Sequence, residues 1–179
     1  MTLSDPFNVL FLCTGNSARS IFAEAILRKD GGDRFRAFSA GSYPKPDVNP
    51  MTLQLLAEND YPTDGLRSKS WDEFAVPGAP KMDFVFTVCD DASGESCPVW
   101  PGQPITGHWG IEDPAAEKRG GMWQRAAFLR ALHYMRNRIS VFTVLPIETL
   151  ARSSLTAEVR AIGRLEGATA SAPNPAEAS

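Results

Sequence analysis

The chain has 179 residues, of which 43% are apolar and 22% charged, a composition that excludes a disordered or fibrous protein and fits one globular domain. Its formal net charge of −3 argues against nucleic acid as the main partner, because phosphate binding requires a basic surface. No apolar run approaches the roughly 18 residues of a membrane span, and the N-terminus lacks the pattern of a signal peptide. We therefore expect a cytoplasmic protein that binds neither membranes nor nucleic acid.

Short apolar strands alternate with helical segments along the chain. The predicted strands span residues 7–12, 34–39, 83–88 and 105–109. The predicted helices span 18–29, a segment that starts at Pro50 and ends near residue 60, a long segment between Gly121 and Pro146, and 154–164. This alternation predicts an α/β fold, with a small parallel sheet that is covered on both faces.

The end of the chain differs in composition from the rest. Residues 168–179 contain no large apolar side chain, which favours a flexible segment. We predict a single catalytic α/β domain over residues 1–165 and a flexible C-terminal tail over residues 166–179. The three cysteines are expected to be catalytic or redox-active, because a cytosolic chain keeps its thiols reduced.

A short polar loop joins the first predicted strand to the first predicted helix, with Cys13 before it and Arg19 after it. Gly15 and Asn16 readily accept positive φ angles, so the loop N–H groups can face inward and, with the Arg19 guanidinium, hold a tetrahedral oxyanion. The same field is expected to lower the pKa of the Cys13 thiol, to which the Ser20 hydroxyl could donate. A buried structural cysteine with an exposed arginine is the alternative. The predicted oxyanion-binding residues are Thr14, Gly15, Asn16, Ser17, Ala18, Arg19 and Ser20.

The segment VLFLCTGNSARS resembles the anion-binding loop of the low-molecular-weight protein tyrosine phosphatases and of the arsenate reductases built on the same fold. Further matches follow in chain order over about residues 7–140. They are Ser39-Ala40-Gly41, Val48-Asn49-Pro50, Thr87-Val88-Cys89-Asp90, Cys97-Pro98-Val99-Trp100-Pro101-Gly102, His108-Trp109-Gly110 and Asp113-Pro114. The resemblance implies a three-layer α/β fold in which a four-stranded parallel sheet has helices on both faces.

The resemblance also implies a role for Asp113 as the general acid that protonates a leaving oxygen. An aspartate before a proline is equally a good helix cap, and one residue can do both. The phosphatases have tyrosines after this position, where the chain has Ala115 and Ala116, which weakens a phosphotyrosine interpretation. Two extra cysteines, Cys89 and Cys97, match the reductases, although a chance pair of core thiols is the alternative.

In the arsenate reductase interpretation, the Cys13 thiolate attacks arsenate, of which phosphate and sulfate are analogues, and Cys89 then attacks the Cys13 sulfur and frees arsenite. Asp90 and Asp91 should disfavour a standing thiolate on Cys89. Cys97 would next attack Cys89 and carry the disulfide to an external reductant, thioredoxin or glutathione with glutaredoxin.

The resemblance implies neither a tightly bound cofactor nor a metal. A zinc site at Cys89, Cys97 and His108 is not expected, since the spacing lacks a Cys-x2-Cys pair. Ala18 stands where many relatives have another cysteine, and the interval from Cys89 to Cys97 is one residue longer than in thioredoxin-coupled relatives. A phosphomonoester or phosphotyrosine phosphatase and a non-catalytic anion binder remain as alternatives.

Overall fold

The computed structural model describes residues 5–94 and 98–169. Its centre is one sheet of four parallel strands in the order β2-β1-β3-β4. The strands are β1 Phe7–Cys13, β2 Phe35–Gly41, β3 Phe84–Thr87 and β4 Ile105–His108. All four strands were predicted from their apolar runs, with ends that differ by at most two residues.

Within the described residues, five α-helices connect or follow the strands. They are α1 Arg19–Asp30, α2 Pro50–Glu58, α3 Asp90–Gly94, α4 Gly121–Thr143 and α5 Arg152–Gly163. The same part of the chain has three short 3-10 helices, Gly32–Arg34, Trp71–Phe74 and Pro114–Ala116. The start of α2 follows its local signals, since the Asn49 side chain accepts a hydrogen bond from the Met51 N–H at 2.9 Å and Pro50 occupies the first turn. The short helix α3 was not predicted, because its sequence is polar and contains a glycine.

The core divides between the two faces of the sheet. On β1, Val9 and Phe11 belong to a large cluster with the helices, whereas Leu10 and Leu12 belong to a smaller cluster on the opposite face. The alternation follows from the two-residue period of a strand. The helix α4 contributes to the large cluster the five side chains whose spacing predicted it, all of them buried: Phe128, Leu132, Met135, Ile139 and Phe142.

The two faces of the sheet are covered by different amounts of structure. The long α-helices share the larger cluster, and the smaller cluster is covered by the 3-10 helix 71–74 and by Trp100. The predicted three-layer α/β fold with a four-stranded parallel sheet is confirmed.

The strand order places a crevice at the carboxyl ends of the two central strands, β1 and β3. The chain passes from β1 to β2 on one side and then crosses to β3 on the other side of β1. Ligands bind at such a reversal, beyond the carboxyl ends of the strands, because the connecting loops diverge there. Cys13 ends β1 and Cys89 lies two residues after β3, so both thiols border the crevice.

The helix α5 lies against β4, and the chain then returns along the loop that follows β4. Trp109 Nε1 donates to the Val159 carbonyl at 3.0 Å, and Ala168 forms an antiparallel bridge with Ile111. The predicted domain boundary at residue 165 stays a prediction, with residues 170–179 outside the described part of the chain. Among the described residues, no helix combines the length and apolar character needed to cross a membrane.

Candidate active site

The loop between β1 and α1 is held by the side chain of Asn16. Asn16 is fully buried and has a φ of 44°, in the left-handed region that asparagine tolerates. Its Nδ2 donates to Ser20 Oγ and Ser39 Oγ at 2.9 Å each, and its Oδ1 accepts from the Lys69 N–H at 2.9 Å. The predicted positive φ is therefore found at Asn16, whereas Gly15 does not adopt one.

The loop also packs closely on the end of β2. A Cβ atom at Gly41 would overlap the Thr14 carbonyl oxygen, so only glycine permits this approach. The N–H groups of Ser42 and Tyr43 donate to the carbonyls of Cys13 and Thr14 at 3.3 and 3.0 Å. The backbone of the loop is thus fixed from the β2 side without using the N–H groups that an anion would need.

A buried ion pair lies beneath the loop. Glu24 accepts a short hydrogen bond from Ser39, and Lys69 Nζ lies 3.5 Å from Glu24 Oε2 and 3.4 Å from Ser39 Oγ. Burial lowers the pKa of Lys69, while the neighbouring Glu24 opposes this shift. These two charged residues were missed by the sequence analysis. A usable signal was present, since Glu24 is the single charged residue in the run IFAEAIL, which indicates a helix buried on all sides.

Arg19 joins the loop to the segment after β4. Its Nη1 donates to the Ile111 carbonyl at 2.8 Å, and its Nη2 lies 3.7 Å from Asp113 Oδ1. The arginine side chain is only 13% exposed, so the alternative of an arginine on the solvent face is wrong. Asp113 Oδ1 also accepts from the Ala115 N–H at 3.0 Å and caps the 3-10 helix there. The carboxylate is 46% exposed and faces the loop as well as the cap.

Cys13 and Cys89 are both buried, and each affects the ionisation of the other. The Cys89 side chain raises the pKa of Cys13, and the Cys13 side chain lowers the pKa of Cys89 to about 6. Burial also raises the pKa of Cys13, and the charge of Arg19 and the Gly15 N–H act in the opposite direction. The pKa of Cys13 is therefore raised, opposite to the prediction, although the Arg19 charge and the Gly15 N–H act in the predicted direction.

The environment of Cys89 explains why the neighbouring carboxylates do not prevent its ionisation. Its sulfur accepts from the Ala92 N–H at 3.4 Å and lies 3.6 Å from Thr14 Oγ1. Both contacts, with the hydrogen bond from Cys13 and the Arg19 charge, lower the pKa of Cys89. The expectation that Asp90 and Asp91 make Cys89 a poor thiolate is wrong, because donors face the sulfur directly.

Asp90 belongs to a hydrogen-bonded chain that the sequence analysis did not predict. His108 Nδ1 contacts Thr87 Oγ1 at 2.7 Å, and His108 Nε2 contacts Asp90 Oδ1 at 2.9 Å. The same Asp90 oxygen accepts from Thr169 Oγ1 at 2.6 Å. These residues come from β3, β4, α3 and the end of the described chain, and no local pattern links them.

The structure brings most of the predicted site residues together at the crevice. Ser17 lies in the loop, its carbonyl accepting from the Asn49 N–H at 3.0 Å, and Ala18 directly precedes α1. Ser20 accepts from Asn16, and its predicted bond to the Cys13 thiolate stays a prediction.

Cys97 lies outside the described residues. The oxyanion-binding and catalytic roles stay predictions for all of these residues.

Comparison with known families and proteins agrees with this geometry. The model of the low molecular weight phosphotyrosine protein phosphatase family matches residues 8–142. An arsenate reductase of Oceanobacillus iheyensis is 34% identical over 134 residues, which are 75% of this chain and 93% of that protein.

Two solved structures show the same fold. The arsenate reductase of Archaeoglobus fulgidus has a TM-score of 0.58 at 30% identity, with 75% of this chain and 98% of that chain covered. The thioredoxin-dependent arsenate reductase of Corynebacterium glutamicum has a TM-score of 0.58 at 25% identity. The match covers 77% of this chain and 61% of the Corynebacterium chain.

Proposed function

This chain belongs to the low molecular weight phosphotyrosine protein phosphatase family, and we propose that it reduces arsenate to arsenite with its own thiols as the electron source. The observation that carries the proposal is the pair of buried thiols at one crevice, where Cys13 ends β1, Cys89 follows β3, and each thiol shifts the pKa of the other. Hydrolysis of a phosphate ester needs one nucleophilic thiol. A second thiol in contact with the first is useful when the reaction ends in a disulfide.

The first step places arsenate in the loop. The N–H groups of residues 14–19 and the planar guanidinium of Arg19 would bind the oxygens of the anion. The Cys13 thiol gives its proton to an oxygen of the bound anion, which leaves Cys13 ionised. Cys13 Sγ then bonds to arsenic, and an arsenic-bound oxygen leaves as water after it takes a proton from Asp113.

The second step carries the reduction. Cys89 loses its proton and attacks Cys13 Sγ, so that a sulfur–sulfur bond forms and the sulfur–arsenic bond breaks. The electron pair of the broken bond stays on arsenic, which falls from As(V) to As(III) and leaves as arsenite. Two thiols have then become one disulfide, which balances the two electrons.

Regeneration needs a further thiol and an outside reductant. We assign the exchange to Cys97, which would attack Cys89 and release Cys13, and the final reduction to a dithiol protein of the thioredoxin type. Support comes from the Corynebacterium relative, which is thioredoxin-dependent. We expect no tightly bound cofactor.

Phosphatase activity is the second candidate, because the same loop, Arg19 and Asp113 would serve phosphoryl transfer to Cys13. The family description favours it. Ala115 and Ala116 give no aromatic wall for a phosphotyrosine ring, so we expect only a side activity on small phosphate esters such as p-nitrophenyl phosphate.

The sharpest test is Cys97→Ser. Wild-type protein with thioredoxin, thioredoxin reductase and NADPH should turn over arsenate continuously. The variant should release about one arsenite per chain and stop with Cys13 and Cys89 joined, because the first two steps need only those two thiols. Arsenite is measured by quench-flow and the disulfide by peptide mass spectrometry.

Two matched variants complete the test. Cys13→Ser should release no arsenite and hydrolyse no p-nitrophenyl phosphate, and Cys89→Ser should keep phosphatase activity without releasing arsenite. Sustained thioredoxin-driven turnover by Cys97→Ser would exclude Cys97 as the shuttle. Wild-type protein that hydrolyses the ester but never releases arsenite would be a phosphatase.

A further inference from the structure

The segment after α4 lies beyond the part of the chain that the family model matches, which ends at residue 142. Three contacts fix this segment to the domain. Trp109 Nε1 donates to the Val159 carbonyl at 3.0 Å, and a Cβ atom at Gly163 would overlap the His108 carbonyl. Arg138, which is fully buried, donates to the carbonyls of residues 165 and 166 at 3.2 and 3.0 Å. The end of the described chain is therefore held firmly against β4 and α4.

The segment then reaches the active site. Ala168 bridges Ile111, and the Thr169 N–H donates to the Gly110 carbonyl at 3.2 Å. Thr169 Oγ1 donates to Asp90 Oδ1 at 2.6 Å. A side chain at Gly110 would overlap Thr169 Oγ1, so the glycine leaves the space in which the hydroxyl meets the carboxylate.

Asp90 links this contact to the second thiol. It is the first residue of α3 and follows Cys89 directly. Its Oδ1 is held by Thr169 on one side and by His108 Nε2 on the other, at 2.6 and 2.9 Å. Within the same turn, the Ala92 N–H donates to Cys89 Sγ at 3.4 Å. A carboxylate fixed at the start of α3 thus fixes the backbone that orients the Cys89 sulfur.

We propose that Thr169 is a positioning residue for the second step, because it anchors Asp90 and thereby holds Cys89 in line for attack on Cys13. The inference rests on the proposed arsenate reductase function. The step it serves forms the Cys13–Cys89 bond, breaks the Cys13–arsenic bond and leaves the electron pair on arsenic, while the Cys89 proton passes to solvent. The segment beyond the family match thereby becomes part of the reductase machinery and has no role in the Cys13 step that a phosphatase shares.

The test compares Thr169→Val with Thr169→Ser. Valine has the shape of threonine without its hydroxyl, so it removes the bond to Asp90, whereas serine keeps the donor. In a single turnover without reductant, Thr169→Val should release arsenite about tenfold more slowly, the effect expected for one lost hydrogen bond to a charged group. Thr169→Ser should stay within about twofold of the wild type.

The control is Thr156→Val in α5, since the Thr156 hydroxyl donates to the Arg152 carbonyl at 2.8 Å, away from the site. Its arsenite release should match the wild type. Hydrolysis of p-nitrophenyl phosphate by Thr169→Val should also be unchanged, because it does not use Cys89. Amide exchange of the peptide that contains Ala92 should be faster in Thr169→Val alone.

Three results would overturn the proposal. The first is a rate of arsenite release by Thr169→Val equal to that of the wild type, and the second is a rate for Thr169→Ser as slow as that for Thr169→Val. The third is a parallel loss of ester hydrolysis in Thr169→Val, which would indicate a general loss of structure. If wild-type protein releases no arsenite, the proposed function fails. The role of Thr169 is then still decided by the rate at which diamide joins Cys13 to Cys89. Slower joining in Thr169→Val supports positioning, and an equal rate refutes it.

Discussion

At the scale of single residues, the main feature of the site is a pair of buried thiols whose pKa values shift in opposite directions. The Cys13 side chain lowers the pKa of Cys89 to about 6, and the Cys89 side chain raises the pKa of Cys13. In the anion-free site Cys89 is therefore the more acidic thiol. A neutral Cys13 repels an incoming anion less than a thiolate would, and its ionisation is needed only when the attack begins.

The low pKa of Cys89 predicts a pH dependence that can be measured directly. In a Cys97→Ser background two thiols remain, and the thiolate absorbance at 240 nm should rise by one equivalent as the pH increases through about 6. Below that pH both thiols are protonated, so arsenate reduction should fall there. Adding Cys13→Ala removes the largest cause of the low pKa of Cys89, and the transition should move upward. A transition that stays near 6 would show that Cys13 does not lower the pKa of Cys89.

Asp113 caps a 3-10 helix and has a proposed role as general acid, and a substitution can separate the two. Asp113→Asn keeps a side-chain oxygen that can accept from the Ala115 N–H, so the melting temperature should be nearly unchanged. Loss of the general acid should reduce p-nitrophenyl phosphate hydrolysis and single-turnover arsenite release by about a hundredfold or more. Calorimetry and stopped-flow kinetics give the two readouts. A lower melting temperature with a normal rate would leave Asp113 as a cap alone.

At the scale of elements, the loop between β1 and α1, which is the proposed anion site, is shaped by residues that lie outside it. The end of β2 contacts the loop backbone, Lys69 donates its N–H to Asn16, and the Lys69 ammonium lies beside Glu24 of α1. Strand, loop and helix are joined through buried polar groups, each of which needs its counterpart, because an unpaired charge in this interior is costly. The geometry of the loop should therefore depend on the ion pair beneath it.

Lys69→Met tests this dependence. Methionine fills a similar volume but removes the ammonium from Glu24 Oε2, while Arg28 Nη2 stays on Glu24 Oε1, so the free energy of unfolding should fall by about 1–3 kcal/mol in urea titrations. Ester hydrolysis should fall as well, because Ser39 Oγ, which accepts from Asn16, loses the ammonium beside it. Lys29→Met is the control, since this exposed lysine donates to the Asp60 carbonyl at the surface and should cost about 0.5 kcal/mol or less. Equal effects of the two substitutions would argue against a role for the buried pair.

At the scale of the whole molecule, the sheet order and the C-terminal segment together determine where the two thiols and the acid meet. The order β2-β1-β3-β4 brings the ends of β1 and β3 side by side. The helix α5 then covers β4, with Leu155, Val159 and Ile162 buried in the large cluster. The segment after α4 is thus part of the core as well as a neighbour of Asp90.

Two truncated chains test whether the segment after α4 contributes to folding and the predicted tail does not. A chain of residues 1–169 removes only part of the predicted flexible tail and should keep the free energy of unfolding within about 0.5 kcal/mol of the full chain. A chain of residues 1–150 loses three buried side chains worth about 1.5–3 kcal/mol each and exposes Trp109, so it should unfold or aggregate. Urea titration and light scattering distinguish these cases. A destabilised 1–169 chain would mean that the tail contributes to folding.

Local patterns in the sequence determined the order and kind of the main elements. The apolar run before Cys13, the spacing of the five core side chains of α4 and the Asn49-Pro50 start of α2 each depend on a few neighbouring residues. Propensity, periodicity and capping act over that range, which is why these predictions are confirmed. The loop from Cys13 to Arg19 was recognisable for the same reason.

Only the tertiary structure decided the partners of the buried polar groups. Lys69 and Glu24 are 45 residues apart, and Thr169 and Asp90 are 79 residues apart, so no periodicity relates them. The pKa shifts of Cys13 and Cys89 also follow from the groups around each sulfur, which belong to different elements. Such contacts arise when strand order and helix packing bring distant segments together. Their energies depend on burial and on the neighbours that folding supplies, and neither quantity is a property of the local sequence.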